Sequence, residues 1–492
     1  MSGDASGFVE VGLAEGRLRG ARRDGVLWFS GVPYARPPVA SLRFAPPEPP
    51  RPWTGTRDAT GAMSIAPQAA SRLAAVMGDF SREQSEDCLQ LTIATPGLDG
   101  GHRPVIIWLH GGGFSSGGGG LDWYDGCRLA REGDAVVVGV NYRLGALGYL
   151  YANGLSPGNL GLLDQAQAIR FVRDHARDFG GDPDAITLMG QSAGANAIAA
   201  LFAGGHAGPG IRRAILQSGA YGIGALDTDR AAEMGERFLH HLGLANAPGR
   251  ARDLSVATIL AAQGAVARET AQLGETAPPF HLLADPPGLP ADFRFDTLAA
   301  DAMAGVQILV GVTARECQAF FARDPRMASL DHDGAQARLQ ALYGDAAAGD
   351  YARRREARPD IRAADLFSDW ISDFVFDAPT LRYADRASAA GASVHFYRFD
   401  WQAPASGLGS CHCLELPFLM GTARAWNGSP MLGSAAPQAI DRLSATMRAA
   451  WLAFARNGVP AAPSLPAWPR YARDTRLAMH LDDAPYVGNA HA

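Results

Sequence analysis

Lysine is missing from this 492-residue chain: all 44 of its basic residues are arginine. That excludes a Schiff-base amine, the lysine of a Walker-A phosphate loop and the lysine of a Ser-x-x-Lys site, because a guanidinium replaces none of them. Cysteine is scarce. Cys88, Cys127, Cys317, Cys411 and Cys413 are an odd number spread over a long chain, which is no disulfide framework. Long apolar runs are also lacking. No window reaches the eighteen or so uncharged residues that a membrane span needs, so no membrane partner is expected. The stretch from Met1 to Gly20 carries Asp4, Glu10, Glu15, Arg17 and Arg19 around no apolar core, so no signal peptide is expected and the default setting is cytoplasmic. Dense basic tracts are absent too, and with 50 acidic residues the formal net charge is −6, which makes nucleic acid an unexpected partner.

With 47% apolar residues, the chain can bury a sizeable core. Strand-like runs at Phe8 to Leu13, Arg17 to Gly20 and Val26 to Phe29, separated by glycine turns, predict an antiparallel ribbon. A proline-rich crossing follows, Pro33 to Pro52. Solid apolar runs of strand length then alternate with helical patterns: Val105 to Leu109, Ala135 to Val140, Ile186 to Met189, Arg213 to Leu216, Val306 to Val310 and Val394 to Phe399. Such runs are buried on both faces, so the fold class is α/β, a mostly parallel sheet flanked by crossover helices. Weaker periodicity at about 226–300 and 323–365 reads as helical excursions capping one end of the sheet. A closing helix spans Ser444 to Asn457, stopped by Gly458. The motif order below favours one domain over residues 1–492.

The chemistry concentrates in two glycine-rich segments, each placed after a strand. Gly190-Gln191-Ser192-Ala193-Gly194 follows Ile186 to Met189 and precedes a helix-forming run, which is the required setting of a nucleophile elbow. The sharp turn projects the Ser192 hydroxyl clear of the sheet, and the helix N-terminus favours developing negative charge. His110-Gly111-Gly112-Gly113-Phe114 follows Val105 to Leu109. The N–H groups of Gly112, Gly113 and Ala193 are the expected oxyanion donors of an acyl transfer, each worth about 3 kcal/mol. The next glycine run, Gly117 to Gly120, reads as a flexible connector.

Serine needs a base and an acid later in the chain. His395 reads as a packed strand residue, and His240 and His241 lie in a peripheral helix. His412, in the turn Ser406 to Cys413 after the last predicted strand, is the expected base. Glu316, at the end of the strand Val306 to Val310, is the expected acid; Asp285, Asp373 and Asp400 stay open as competitors on the residues alone.

These segments resemble the type-B carboxylesterase/cholinesterase family of α/β-hydrolases, in its bacterial form. The likeness runs from about Phe8 to Tyr471. It includes Phe29-Ser30-Gly31-Val32-Pro33-Tyr34-Ala35, Glu86-Asp87-Cys88-Leu89, Asn141-Tyr142-Arg143-Leu144-Gly145, Gly158-Asn159-Leu160-Gly161-Leu162-Leu163-Asp164-Gln165 and Phe179-Gly180-Gly181-Asp182-Pro183. The resemblance implies an α/β-hydrolase fold and a serine carboxylesterase acting on neutral carboxylic esters through Ser192, His412 and a glutamate, Glu316. It also implies an auxiliary hydroxyl at Ser218 and buried pairs of Arg43 with Glu86 and Arg143 with Asp164. Relatives specialised for carbamates, amides or lactones, and non-catalytic binding proteins of the same fold, are the alternatives. No metal or organic cofactor is implied, the partner is a small ester, and oligomeric state is not legible.

Three departures matter. The position expected to pair with Cys88 is Ala66. Pro67 to Asp87 holds no Trp for a cation–π wall, and Gln191 stands where a glutamate commonly precedes the nucleophile. Together the last two argue against a quaternary ammonium substrate. Cys317, Cys411 and Cys413 flank the acid and base; they read as space-filling thiols, with oxidative linkage of Cys317 to Cys411 or Cys413 as the alternative. Gln191, Phe280, Phe320 and Phe321, with Pro278 and Pro279, are candidate pocket walls.

Overall fold

The computed structural model describes residues 7–285 and 288–491. Residues 1–6, at the head of the stretch read for a signal sequence, lie outside the described residues, as do 286–287 of the first excursion and residue 492. The centre of the fold is a sheet of 13 strands. In spatial order its path runs Phe8–Gly12, Arg17–Arg23, Val26–Pro33, Gln90–Thr95, Val136–Val140, Arg103–Leu109, Gly181–Gln191, Arg213–Gln217, Gln307–Thr313, Ser393–Phe399, Leu477–Leu481 and Tyr486–Asn489; Thr56–Asp58 pairs with Arg17–Arg23 off this path. From Val136–Val140 to Leu477–Leu481 every neighbouring pair is parallel. Along the path the strands on either side of that run pair antiparallel, beginning with the predicted ribbon of Phe8–Gly12 on Arg17–Arg23, while the off-path Thr56–Asp58 pairs in parallel.

The solid apolar runs have a direct cause. Successive side chains of a strand point to opposite faces, and here both faces are covered. Val105, Ile107 and Leu109 enter one hydrophobic cluster while Ile106 and Trp108 enter the other. The same split separates Ile308 and Val310 from Leu309, and Ala214 and Leu216 from Ile215. The excursions are helical as expected, at Thr228–His241 and Val256–Thr270, then His332–Tyr343, Asp345–Ala357 and Ala363–Ser372.

Three readings need correction. The last helix begins a turn and more earlier, at Pro437, because Pro is well suited to the first turn; it ends as predicted at Gly458, in the left-handed region at φ 75°. It does not close the fold, since Leu477–Leu481 and Tyr486–Asn489 return to extend the sheet. Gly117 to Gly120 is no flexible connector: Gly117, Gly118 and Gly119 are buried, and a Cβ on Gly119 would stand 2.5 Å from the backbone of Val140. Asn141 holds this loop in place, accepting from the Gly119 N–H at 2.8 Å and donating to the Ser64 carbonyl at 2.7 Å.

Two arginines tie the excursions and loops to the sheet. Arg43 pairs with Glu86 through Nε at 2.7 Å and donates to the carbonyls of Arg252 and Leu254, so it joins the proline-rich crossing to the first excursion. Arg143 meets Asp164 at 2.8 and 2.6 Å, with both side chains almost fully buried. Where the resemblance placed a cysteine partner, Ala66 and the free Cys88 line one small cavity beside Arg43.

A buried pair is costly to break singly and cheap to replace whole. Arg143→Met leaves the Asp164 carboxylate buried without its cation, and the expected loss is about 3–5 kcal/mol in urea unfolding. The double change Arg143→Met with Asp164→Leu recovers most of it; a single variant with the stability of the wild type would contradict the assignment.

Candidate active site

The strand Gly181–Gln191 ends directly before Ser192, and the helix Ala193–Ala203 begins directly after it. Ser192 turns the chain at φ 55° and ψ −123°, outside the regions a side-chain-bearing residue prefers. The turn is held from outside: the Ser192 N–H donates to the Gln217 carbonyl on the neighbouring strand at 2.8 Å. Gly194 lets the helix approach the next strand, because a Cβ there would lie 2.0 Å from the Leu109 carbonyl oxygen. Ala193 opens the helix, where N–H groups have no partners within the helix. Gly112 and Gly113 face the same cavity as Ser192 and Ala193.

His412 and Glu316 meet across 96 residues of chain. The His412 ring donates from Nδ1 to Glu316 Oε2 at 2.5 Å, and Glu316 Oε1 accepts from the Thr313 N–H at 2.8 Å. Backbone bonds fasten the two loops together, from Arg315 N–H to the Ser410 carbonyl at 2.8 Å and from His412 N–H to the Glu316 carbonyl at 3.2 Å. Two of the three competing aspartates are engaged elsewhere, Asp373 with Arg354 and Asp400 with His480 at 2.6 Å; Asp285 does not line the cavity that holds Ser192 and His412. His395 is a buried strand residue, held neutral by burial with its pKa lowered to about 4. His241 pairs with Glu269 at 2.8 Å on the outer helix.

A cavity of about 440 Å³ contains Ser192, Ala193, Gly112, Gly113, Gln191 and His412 in its lining, a size suited to a small organic ligand. A larger groove of about 1190 Å³, with Arg128, Arg131, Trp426 and Asp441 in its lining, includes none of these residues. All the candidate wall residues line the smaller cavity, but unequally. Phe320 lies against the His412 ring, centroids 5.2 Å apart, whereas Phe280 and Phe321 are buried and spend their edges on Phe238 and Phe367. Gln191 is in direct contact with the imidazole: its amide donates toward His412 Nε2 at 3.2 Å and toward Cys413 Sγ at 3.3 Å. Ser218 sits at the end of the adjacent strand with its N–H on the Gly311 carbonyl; its hydroxyl is buried and, among the described residues, has no hydrogen-bond partner.

Sequence reasoning missed several neighbours. Phe376 packs on His412 at 5.0 Å from a π-helical turn, Asp373–Asp377, a device invisible to a 3.6-residue period. Trp123, Tyr124 and Phe80 supply aromatic walls from segments outside the motifs. Trp123 is backed by Trp426, stacked at 4.2 Å, so the cavity does possess a tryptophan, though not from Pro67 to Asp87. Cys413 takes up φ 74°, and with Phe114 at 56° and Ser218 at 48° it joins Ser192 in the left-handed region. Cys317, Cys411 and Cys413 are free and buried, and burial raises each thiol's pKa above its ordinary value, which keeps them protonated and poorly nucleophilic. Among the described residues no cluster of His, Cys, Asp and Glu could hold a metal ion.

The whole described chain matches one family model. The model of the carboxylesterase family fits residues 7–491. This chain belongs to that family. It is therefore an enzyme, a carboxylic ester hydrolase. Among curated proteins it is 35% identical to phenmedipham hydrolase of Pseudarthrobacter oxydans over 480 residues, covering 95% of this chain and 94% of that one. It is 35% identical to para-nitrobenzyl esterase of Bacillus subtilis (strain 168) over 485 residues, covering 96% and 95%. A solved carboxylesterase of Geobacillus stearothermophilus superposes with a TM-score of 0.85 at 34% identity, covering 97% of each chain. The α/β-hydrolase fold of such neighbours is the fold described above.

One further acid lies behind the site. Glu415 is fully buried, neither carboxyl oxygen has a hydrogen bond of good geometry among the described residues, and burial together with the nearby Glu316 carboxylate outweighs the opposing influence of the Gln217 side chain and pushes its pKa up to about 8. The unfolded chain ionises this group near 4.5 while the native state keeps it neutral until about 8, so the group destabilises the fold increasingly as pH rises between those values. Glu415→Gln removes that cost. Its gain in stability over the wild type is expected to be larger at pH 7.5 than at pH 5, by on the order of 3 kcal/mol. Calorimetry at the two pH values measures it, and a pH-independent difference would refute it.

Proposed function

We propose that this enzyme is a serine carboxylesterase that hydrolyses neutral carboxylic esters by two-step acyl transfer, with Ser192 as nucleophile, His412 as base and Glu316 as acid. The observation that carries the reading is the 2.5 Å bond from His412 Nδ1 to Glu316 Oε2, at the edge of a cavity that Ser192 also lines. With Nδ1–H committed to the carboxylate, Nε2 carries the lone pair; the Gln191 amide touches it at 3.2 Å and turns aside for it to take the Ser192 proton as the hydroxyl attacks the ester carbonyl. Glu316 steadies the resulting imidazolium. The N–H groups of Gly112, Gly113 and Ala193 receive the oxyanion, His412 returns the proton to the leaving alcohol, and water repeats the cycle on the acyl-enzyme. Ser218 fills the auxiliary place beside the acid. A cytoplasmic setting belongs to the same proposal, supported by five unpaired thiols; the partner is a small-molecule ester.

Specificity follows from what stands beside the base. Gln191 puts a neutral amide where a carboxylate would favour a cation, so a quaternary ammonium ester gains no counter-ion there. A second reading, hydrolysis of carbamates or amides by the same steps, is favoured by relatives that do so. It is separated by comparing an aryl carbamate and an acyl anilide with the matching ester.

A p-nitrophenyl ester chain-length series, run on wild type and Ser192→Ala, tests mechanism and acyl pocket together. The variant is expected to lose on the order of 10⁶ in kcat with an unchanged fold; retained hydrolysis, or absence of a fluorophosphonate adduct on the wild-type Ser192, would reject the assignment. Butyrylcholine is expected to be a poorer substrate than a neutral butyrate ester of equal leaving-group reactivity, judged by kcat/KM.

A further inference from the structure

Among the cavity's lining is a charged group that the acyl-transfer steps do not use. Arg72 lies on the stretch before the short helix Ala74–Met77 and enters the cavity with two of its five N–H donors already engaged, by the Thr276 carbonyl at 2.7 Å and the Glu275 carbonyl at 3.4 Å. Both acceptors are backbone oxygens. Its guanidinium stands 5.8 Å from the centre of the Phe320 ring, and that same ring lies 5.2 Å from His412. The charge is therefore held one aromatic ring away from the base, crowded by protein yet open to the cavity's solvent; the crowding lowers its pKa without bringing it near neutrality, because an arginine stays protonated at any working pH.

The other charges around the cavity offset it only in part. Asp324 is taken by Arg326, which meets both of its carboxyl oxygens. Glu275 is the remaining carboxylate and its charge acts on Arg72, but one of its oxygens is engaged by the Ala277 N–H at 3.0 Å. Arg268, at the rim, adds a third guanidinium. Three arginines against two carboxylates leave the wall with an excess of positive charge, and Arg72 keeps N–H donors beyond the two engaged by backbone carbonyls with which to meet an anion in the cavity.

We infer that Arg72 makes the cavity selective for esters carrying an anionic substituent, a carboxylate placed one ring or a short chain away from the reacting carbonyl. The inference rests on the ester-hydrolase reading and narrows its substrate class: neutral esters are turned over, acidic ones are preferred, and cationic ones come last. Phe320 gives the recognition its geometry, since the ring that the guanidinium approaches at 5.8 Å also packs against the imidazole at 5.2 Å. A substrate whose acid group bonds Arg72 is thereby placed with its carbonyl toward Ser192.

Two matched pairs test this. On the acyl side, the p-nitrophenyl monoester of a dicarboxylic acid is compared with the same compound bearing a methyl ester at its far end. On the alcohol side, para-carboxyphenyl butyrate is compared with its methyl-esterified counterpart. For the wild type, the ratio of kcat/KM, acid over neutral, is expected to exceed one by about tenfold on at least one side and to shrink as salt is raised. Arg72→Gln should bring that ratio to about one, Arg72→Lys should restore part of it, and Arg72→Glu should invert it. A purely structural role for Arg72, as a clip between its own segment and Thr276, would lower both rates together and leave the ratio alone, which overturns the inference. So would a wild-type ratio at or below one on both sides, a result independent of any variant. Failure of the wild type to hydrolyse the neutral members would instead overturn the ester-hydrolase reading itself.

Discussion

The hydrogen bond between His412 and Glu316 depends on the rest of the molecule more than any other contact does. Its partners are 96 residues apart, and neither lies on a strand. They meet because Gln307–Thr313 and Ser393–Phe399 run parallel in strict register, from Gln307 beside Ser393 to Thr313 beside Phe399, so that both loops leave the sheet at one edge. A slip of one residue would exchange the side chains that each strand sends to the two hydrophobic clusters, mispacking both, and would shift the acid away from the base. The two hydrophobic clusters that fix the register are thus also what fix the chemistry. Evolution of such a site is a problem of sheet pairing before it is one of catalysis.

That dependence makes the interior around the bond electrically crowded. Glu316 is buried and its two oxygens are occupied, by His412 and by the Thr313 N–H. Glu415, also buried, finds no hydrogen bond of good geometry among the described residues and stays protonated at neutral pH. Burial and the neighbouring Glu316 carboxylate act in the same direction on Glu415, and both favour its neutral form. The strained backbone at Ser192 and Cys413 belongs to the same economy, since a packed surround is needed to hold either conformation.

Much of this was legible in the sequence because it rested on local rules. Solid apolar runs announced strands covered on both faces, and the Gly-Gln-Ser-Ala-Gly turn announced itself by standing between a strand and a helix. The acid was less legible: by pattern alone Glu316 competed with Asp285, Asp373 and Asp400, and only tertiary contacts favour Glu316, through its bond to His412 and through the arginine and histidine that occupy Asp373 and Asp400. The strands Leu477–Leu481 and Tyr486–Asn489 were missed because each is short and its burial comes from long-range pairing. Gly117 to Gly120 was misread for a related reason. A glycine run signals flexibility unless something packs against it, and the sequence does not say that Val140 does. Phe376 hid in a π-turn, and Trp123 in a loop with no motif at all.

The exclusive use of arginine, which at first only removed lysine chemistries, gains a positive meaning inside the cavity. A lysine at position 72 could bond the Thr276 and Glu275 carbonyls, but three donors on a point charge would leave little to offer a ligand. A guanidinium spreads five donors over a rigid plane. It can hold two backbone carbonyls, lie over the Phe320 ring and still present a free edge to a carboxylate. At Arg143 the same planarity lets one side chain meet both oxygens of Asp164 and the Ala45 carbonyl in a space with no water to spare. The residue that stabilises the buried scaffold and the residue that reads the substrate's charge are then the same type for one reason: each must satisfy several acceptors at once from a single fixed position.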